Sequence, residues 1–132
     1  MKYLIDTDWA IDQLTGKKEE VRNRLKEFRF SGVAISIVSV AELYEGVWYS
    51  KDSIKSQKQL ETLLTQFSVL GVDQEVCKVF GKERGKLRKS KNIIDNFDLL
   101  IASTCLYYNL TLLTNNLKHF ERIDGLKIIS LP

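Results

Sequence analysis

Short apolar runs alternate along the chain with longer segments in which apolar residues recur every three or four positions. Residues 2–5, with Tyr3-Leu4-Ile5, have the length and character of a buried parallel strand. Asp6-Thr7-Asp8 then supplies helix-capping chemistry ahead of Trp9, Ile11 and Leu14, and Gly16 ends that short helix. Val21, Leu25 and Phe28 fall at helical spacing within the charged stretch 17–29 and predict an amphipathic helix. Ser31-Gly32 turns the chain into a β-branched strand at 33–38, and a helix follows from about Ser39 to Tyr49. A second amphipathic helix begins near Ser53, with Gln57, Leu60, Leu63, Leu64 and Phe67 in step, before a minor strand at Val69-Leu70. Asp73 caps a long helix reaching about Ser90. The segment 97–108 carries Phe97, Leu100, Ile101, Thr104, Cys105 and Tyr108 on one stripe, with Leu99 and Leu106 elsewhere; a helix apolar nearly all round belongs in a core. Strands are predicted again at Thr111–Thr114 and Leu126–Ile129.

Strands alternating with helices predict an α/β fold with a largely parallel central sheet flanked by helices. No repeat, linker or low-complexity tract interrupts the pattern, so residues 1–132 read as a single domain. The hydrophobic fraction of 44% and charged fraction of 28% are those of a globular protein, and the net charge of +3 permits a nucleic-acid partner without demanding one. No segment approaches the roughly 18 consecutive apolar residues of a membrane span. Asp6 and Asp8 interrupt the apolar run that a signal peptide would need. Cys77 and Cys105 lack metal-type spacing and read as reduced, mostly buried thiols. Together these features predict a cytoplasmic protein with no membrane contact.

Against this pattern, three acids stand out because each adjoins apolar sequence. Asp6 closes the first strand, Glu42 follows the run 33–38 at the start of a helix, and Asp98 heads Leu99-Leu100-Ile101-Ala102. A buried carboxylate costs several kcal/mol unless it is paired or binds a metal. Two of them ~4 Å apart repel by ~4 kcal/mol at an effective dielectric of ~20, so a cluster calls for a cation. Ligands in such folds bind where strands end and helices begin. Asn115-Asn116, after the strand at 111–114, adds a fourth such edge. Oxygen donors converging there suit Mg²⁺ or Mn²⁺ and phosphodiester chemistry. Taken singly, Asp6 and Asp98 are equally well explained as helix caps, and Glu42 as a first-turn acid facing the helix dipole. Asp8, Asp12 and Asp95 are weaker candidates that could cap helices or face solvent. His119, the only histidine, reads as a surface loop residue rather than a general base.

The ordered set of motifs resembles a known family. Asp6-Thr7-Asp8 after a strand, Ser39-Val40-Ala41-Glu42-Leu43 opening a helix, and Phe97-Asp98-Leu99-Leu100-Ile101-Ala102 are similar to successive motifs of PIN-domain ribonucleases. The closing Leu113-Thr114-Asn115-Asn116…His119-Phe120-Glu121-Arg122-Ile123-Asp124-Gly125-Leu126 resembles the C-terminal signature of the VapC toxins of bacterial toxin–antitoxin pairs. The resemblance implies a PIN-like fold, Mg²⁺- or Mn²⁺-dependent endoribonuclease activity, a homodimer, and inhibition by a cognate VapB-type antitoxin. It carries Asp6, Glu42 and Asp98 over as metal-binding acids, with water activated by the metal attacking RNA. Asn116 and Thr7 would position metal-bound waters. The chain departs from the pattern at the fourth position, where many relatives carry an acid and Asn116 and His119 stand here. That departure puts tight binding of a second metal in doubt.

Two alternatives remain open on the residues. Asp6-Thr7-Asp8 is also an Asp-x-Asp pair of the haloacid-dehalogenase phosphatase type, although the later lysine and acidic pair are lacking. Asn116 suits a catalytically weakened RNA- or protein-binding module. Lys82, Arg84, Lys86, Arg88, Lys89 and Lys91, opposed by Glu83, form either a solvated helix end or a phosphate-contacting rim, with Arg84 placed near the cleft by the resemblance. Gly81, Gly85 and Lys86 miss P-loop spacing by one residue and lie within a helix, so the two glycines read as close-approach positions. Trp48 and Tyr49, beside Tyr44, read as core, with a dimer or antitoxin surface as the alternative.

Overall fold

A computed structural model describes residues 1–131; Pro132 lies outside the described residues. Its five strands are β1 (Tyr3–Ile5), β2 (Val33–Ser36), β3 (Ser68–Leu70), β4 (Thr111–Leu113) and β5 (Ile128–Ile129). They form one sheet in the order β3-β2-β1-β4-β5, and every pairing is parallel. The helices are α1 (Thr7–Thr15), α2 (Glu19–Phe28), α3 (Ile37–Trp48), α4 (Ser53–Leu64), α5 (Gln74–Lys89), α6 (Asn96–Tyr108) and α7 (Leu117–Phe120), with a 3₁₀ turn at Arg29–Ser31.

The twofold side-chain alternation of the strands separates two cores. Ile5, Val33, Ile35 and Leu113 face one side, where Trp9 of α1, Val21 and Leu25 of α2, Leu43 of α3 and Leu60 of α4 cover them. Leu4, Ala34 and Leu112 face the other, against Leu87 of α5 and Leu99, Ile101 and Ala102 of α6. Burying a side chain such as Trp9 or Leu4 is worth ~2–3 kcal/mol each, so the central strands are held from both faces. Among the described residues no helix is long and apolar enough to cross a membrane.

Element boundaries follow local chemistry. Ser36 Oγ accepts the Val38 N–H at 3.0 Å and caps α3, so the strand expected over 33–38 ends two residues early. Asp73 caps α5 and Asp95 caps α6 in the same manner. The short α7 was not foreseen; four residues are too few to show periodicity.

Several packing expectations are corrected. Trp48 and Tyr49 are 61% and 88% exposed, because the end of α3 runs past the layer that covers the sheet. Phe97 and Tyr108 are exposed at the two ends of α6, whose middle alone is core. Cys77 is exposed, whereas Cys105 is buried; both are free thiols. A Cβ at Gly81 or Gly85 would meet nothing within 4 Å, so neither glycine serves a close approach.

Candidate active site

The register of the three central strands sets the site. Ile5 pairs with Ile35 and with Leu113, so the next positions on each chain, Asp6, Ser36 and Thr114, emerge side by side at the carboxyl edge. Asp6 sits at the N-cap position of α1 yet makes no capping hydrogen bond. Its Oδ2 instead accepts the Thr114 hydroxyl at 2.7 Å, and the residue is only 4% exposed. Burial first, and then the neighbouring Asp8 charge, push its carboxyl up to about 7, against the hydrogen bonds from Thr114 and the Thr7 backbone.

Asp8 lies next to it with both oxygens occupied. Its Oδ1 accepts the Trp9 N–H at 2.8 Å and its Oδ2 accepts the Asn115 N–H at 3.2 Å. Asn115 Oδ1 in turn accepts from Trp9 Nε1 at 3.2 Å and from the Leu131 N–H at 2.8 Å. The loop after β4 is thereby tied to α1. Asp12 contributes only a backbone carbonyl, which accepts the Gly16 N–H.

Glu42 enters from α3. Because that helix starts at Ile37, Glu42 lies in its second turn, not the first, and the dipole explanation of its position loses force. Thr7 Oγ1 is 2.8 Å from Glu42 Oε1 and 2.8 Å from Ser39 Oγ. One hydroxyl carries one proton, so Thr7 donates to Glu42 and accepts from the buried Ser39. Burial raises the Glu42 carboxyl above its ordinary value, with the Asp98 charge adding to it and Thr7 opposing.

Asp98 enters from the first turn of α6, whose cap is Asp95, so Asp98 is itself no cap. Burial also raises its carboxyl, aided by the charges of Asp95 and Asp8 and opposed by a hydrogen bond to His119. That bond was missed in the sequence: His119 Nδ1 lies 2.7 Å from Asp98 Oδ2, and Asn116 Nδ2 lies 3.1 Å from the same ring nitrogen. The surface-loop reading of His119 is corrected to this extent, since α7 turns the ring back onto Asp98 while leaving the side chain 40% exposed. The available signal was the Asn116-to-His119 spacing, one helical turn.

The carboxylates therefore sense one another, Asp8 acting on Asp6 and Asp98, and Asp98 on Glu42. All their donors are hard oxygens, which fits Mg²⁺ or Mn²⁺. Among the described residues no three His, Cys, Asp or Glu side chains are grouped so that together they could hold a metal ion. The arrangement fits an ion that keeps several waters and takes one or two carboxylates.

Two neighbouring features border the acids. Arg84 of α5 donates Nε–H to Asn96 Oδ1 at 3.1 Å, at the start of the helix that carries Asp98. A cavity of about 400 Å³ between α1, α3 and α4, walled by Ile11, Leu14, Leu43 and Val47, reaches Glu42 but neither Asp6 nor Asp98.

The PIN domain family matches this chain over residues 3–126. The chain belongs to that family. Within it, this PIN-domain protein is 33% identical over 127 residues to Ribonuclease VapC2 of Rickettsia felis, covering 96% of this chain and 95% of the relative. It is 28% identical over 128 residues to the tRNA(fMet)-specific endonuclease VapC of Salmonella typhimurium, covering 97% and 96%. The crystal structure of VapBC2 from Rickettsia felis bound to a DNA fragment from their promoter matches with a TM-score of 0.93 at 31% identity, covering 100% of both chains. The PIN-like α/β fold with its parallel sheet is thus shared along the whole chain.

Proposed function

We propose that this PIN-domain protein is a metal-dependent endoribonuclease, the toxin of a VapBC-type pair, working in the cytoplasm as a single domain. What supports the reading is that the carboxyls of Asp6 at the end of β1, Glu42 on α3 and Asp98 in the first turn of α6 are all raised by burial, with the Asp98 charge felt at Glu42, and that none of the three uses its side chain to cap a helix. A Mg²⁺ or Mn²⁺ ion bound there would supply Lewis-acid activation of water and neutralise charge on the phosphodiester. Asp98 and Glu42 would hold the ion, with Asp6 completing the charge from the buried side. Thr7, Ser39 and Thr114 keep the carboxylates oriented through their hydroxyls. Arg84 stands where a phosphate of the RNA could be met. The VapC relatives support RNA as substrate, and the VapBC2 complex supports a VapB-type antitoxin as partner. The apolar cavity beside Glu42 suits apolar side chains of such a partner, and exposed Trp48 and Tyr49 offer a surface for a homodimer.

Asp6→Asn and Asp98→Asn test this reading. Each is expected to abolish RNA cleavage, a loss of at least about a thousandfold, while circular dichroism shows the fold intact. Retained cleavage in both folded variants means the chemistry lies elsewhere.

A further inference from the structure

His119 touches one of the acids without belonging to the acidic set. Its Nδ1 is 2.7 Å from Asp98 Oδ2 and 3.1 Å from Asn116 Nδ2. Two lone pairs do not face each other at 2.7 Å, so a proton lies between ring and carboxylate. Carried on Nδ1, it makes a short hydrogen bond assisted by the carboxylate charge. The Asn116 amide then turns its oxygen, not its nitrogen, towards the ring, since the two amide atoms are interchangeable in outline. The four residues of α7 impose this arrangement, with Asn116 at the N-cap and His119 one turn later. Among the described residues, Asp98 Oδ1 has no protein hydrogen-bond partner. The imidazole therefore holds one oxygen of Asp98 and leaves the other open.

Resting on the metal-dependent reading above, we infer that His119 is a positioning residue: it locks the Asp98 carboxylate so that Oδ1 is the oxygen presented to the cation. Asn116 meets the ring at the same nitrogen. Hydrogen-bond partners behind a metal-binding carboxylate typically influence affinity by 10- to 100-fold, because the ligand is held in its binding orientation before the ion arrives. The donor that matters is at Nδ1. An asparagine side chain places its amide nitrogen close to that point, whereas glutamine places its amide nearer the position of Nε2.

Calorimetric titration of Mn²⁺ into metal-free protein, without RNA, separates these cases. His119→Ala and His119→Gln are expected to lose about 10- to 100-fold in Mn²⁺ affinity, and His119→Asn to stay within a few-fold of wild type. Thermal melts of the metal-free proteins should agree closely, since the side chain is 40% exposed. If His119→Asn binds as weakly as His119→Ala, or if His119→Ala and His119→Gln bind like wild type, the positioning role is overturned. A wild-type protein that takes up no Mn²⁺ overturns the metal reading itself and this role with it. Equal affinities among variants of a Mn²⁺-binding wild type overturn the role alone.

Discussion

The two walls of the site hold the same kind of acid in opposite surroundings. Asp6 rests on strand ends fixed by parallel ladders on both sides, and the Asp8–Asn115–Trp9 bonds close the loop around it. Asp98 stands at the mouth of α6, its side chain 17% exposed, facing the partly open four-residue helix that carries His119. The buried wall cannot relax, so its charge is costly without a counterion. The open wall is cheaper to charge and can be adjusted by short side chains such as His119 and Asn116. Under the metal-dependent function proposed above, a buried, fixed acid together with a more exposed one would suit an ion that takes both protein and phosphate oxygens.

The two acids differ most in how their contribution depends on pH. The Asp6 carboxyl moves from 3.8 in the unfolded chain to about 7 in the fold. A raised acid contributes fully below the unfolded value, and stability falls as pH rises through the window from about 4 to about 7. Asp6→Asn removes that loss. In metal-free protein the variant should therefore gain on the order of 3 kcal/mol over wild type at pH 8, and much less at pH 4. Urea melts across that pH range measure the difference. A gain of the same size at every pH would mean that Asp6 does not titrate as a buried acid.

A smaller effect separates the hydroxyls serving the two kinds of carboxylate. Thr114→Val removes the donor to the buried Asp6 and should cost about 1–3 kcal/mol in metal-free protein near neutral pH, where that carboxyl is partly ionised. Thr7→Val is made in a Ser39→Ala background, so that no buried hydroxyl loses its acceptor; relative to Ser39→Ala alone it should cost less than about 1 kcal/mol, because water can replace much of the bond lost by the more exposed Glu42. Equal costs would erase the distinction between the buried and open sides.

The sequence made much of this legible and left particular parts hidden. The strand at Tyr3–Ile5, the core helix after Asp98 and the parallel order follow from apolar runs and 3.6-residue periodicity, which report burial directly. The placement of Asp6, Glu42 and Asp98 beyond strand ends was readable because strand-to-helix edges of a parallel sheet share one end. The contact between His119 and Asp98 was not, since it depends on a one-turn helix whose direction no periodicity reports. Glu42 was placed a turn too early because the capping hydroxyl of Ser36 looks like one more strand residue. Trp48 and Tyr49 look like core in a helical pattern, and only the length of the covering layer reveals that they extend past it.

The basic end of α5 bears more weakly on the site. Lys86 already pairs with the buried Glu83 at 3.4 Å, so Lys82, Lys89 and Lys91 are the better probes. Their joint replacement by glutamine should make the slope of log RNA affinity against log salt shallower by up to ~2, at ~0.7 per phosphate contact on a single strand. An unchanged slope assigns these lysines to solvent.

If the carboxylates act through a divalent ion, cleavage should depend on that ion. Purified protein freed of antitoxin and stripped with chelator is assayed for RNA cleavage before and after Mn²⁺ or Mg²⁺ is returned. No cleavage is expected in the stripped protein, with recovery on adding either ion. Undiminished cleavage in excess chelator would contradict it.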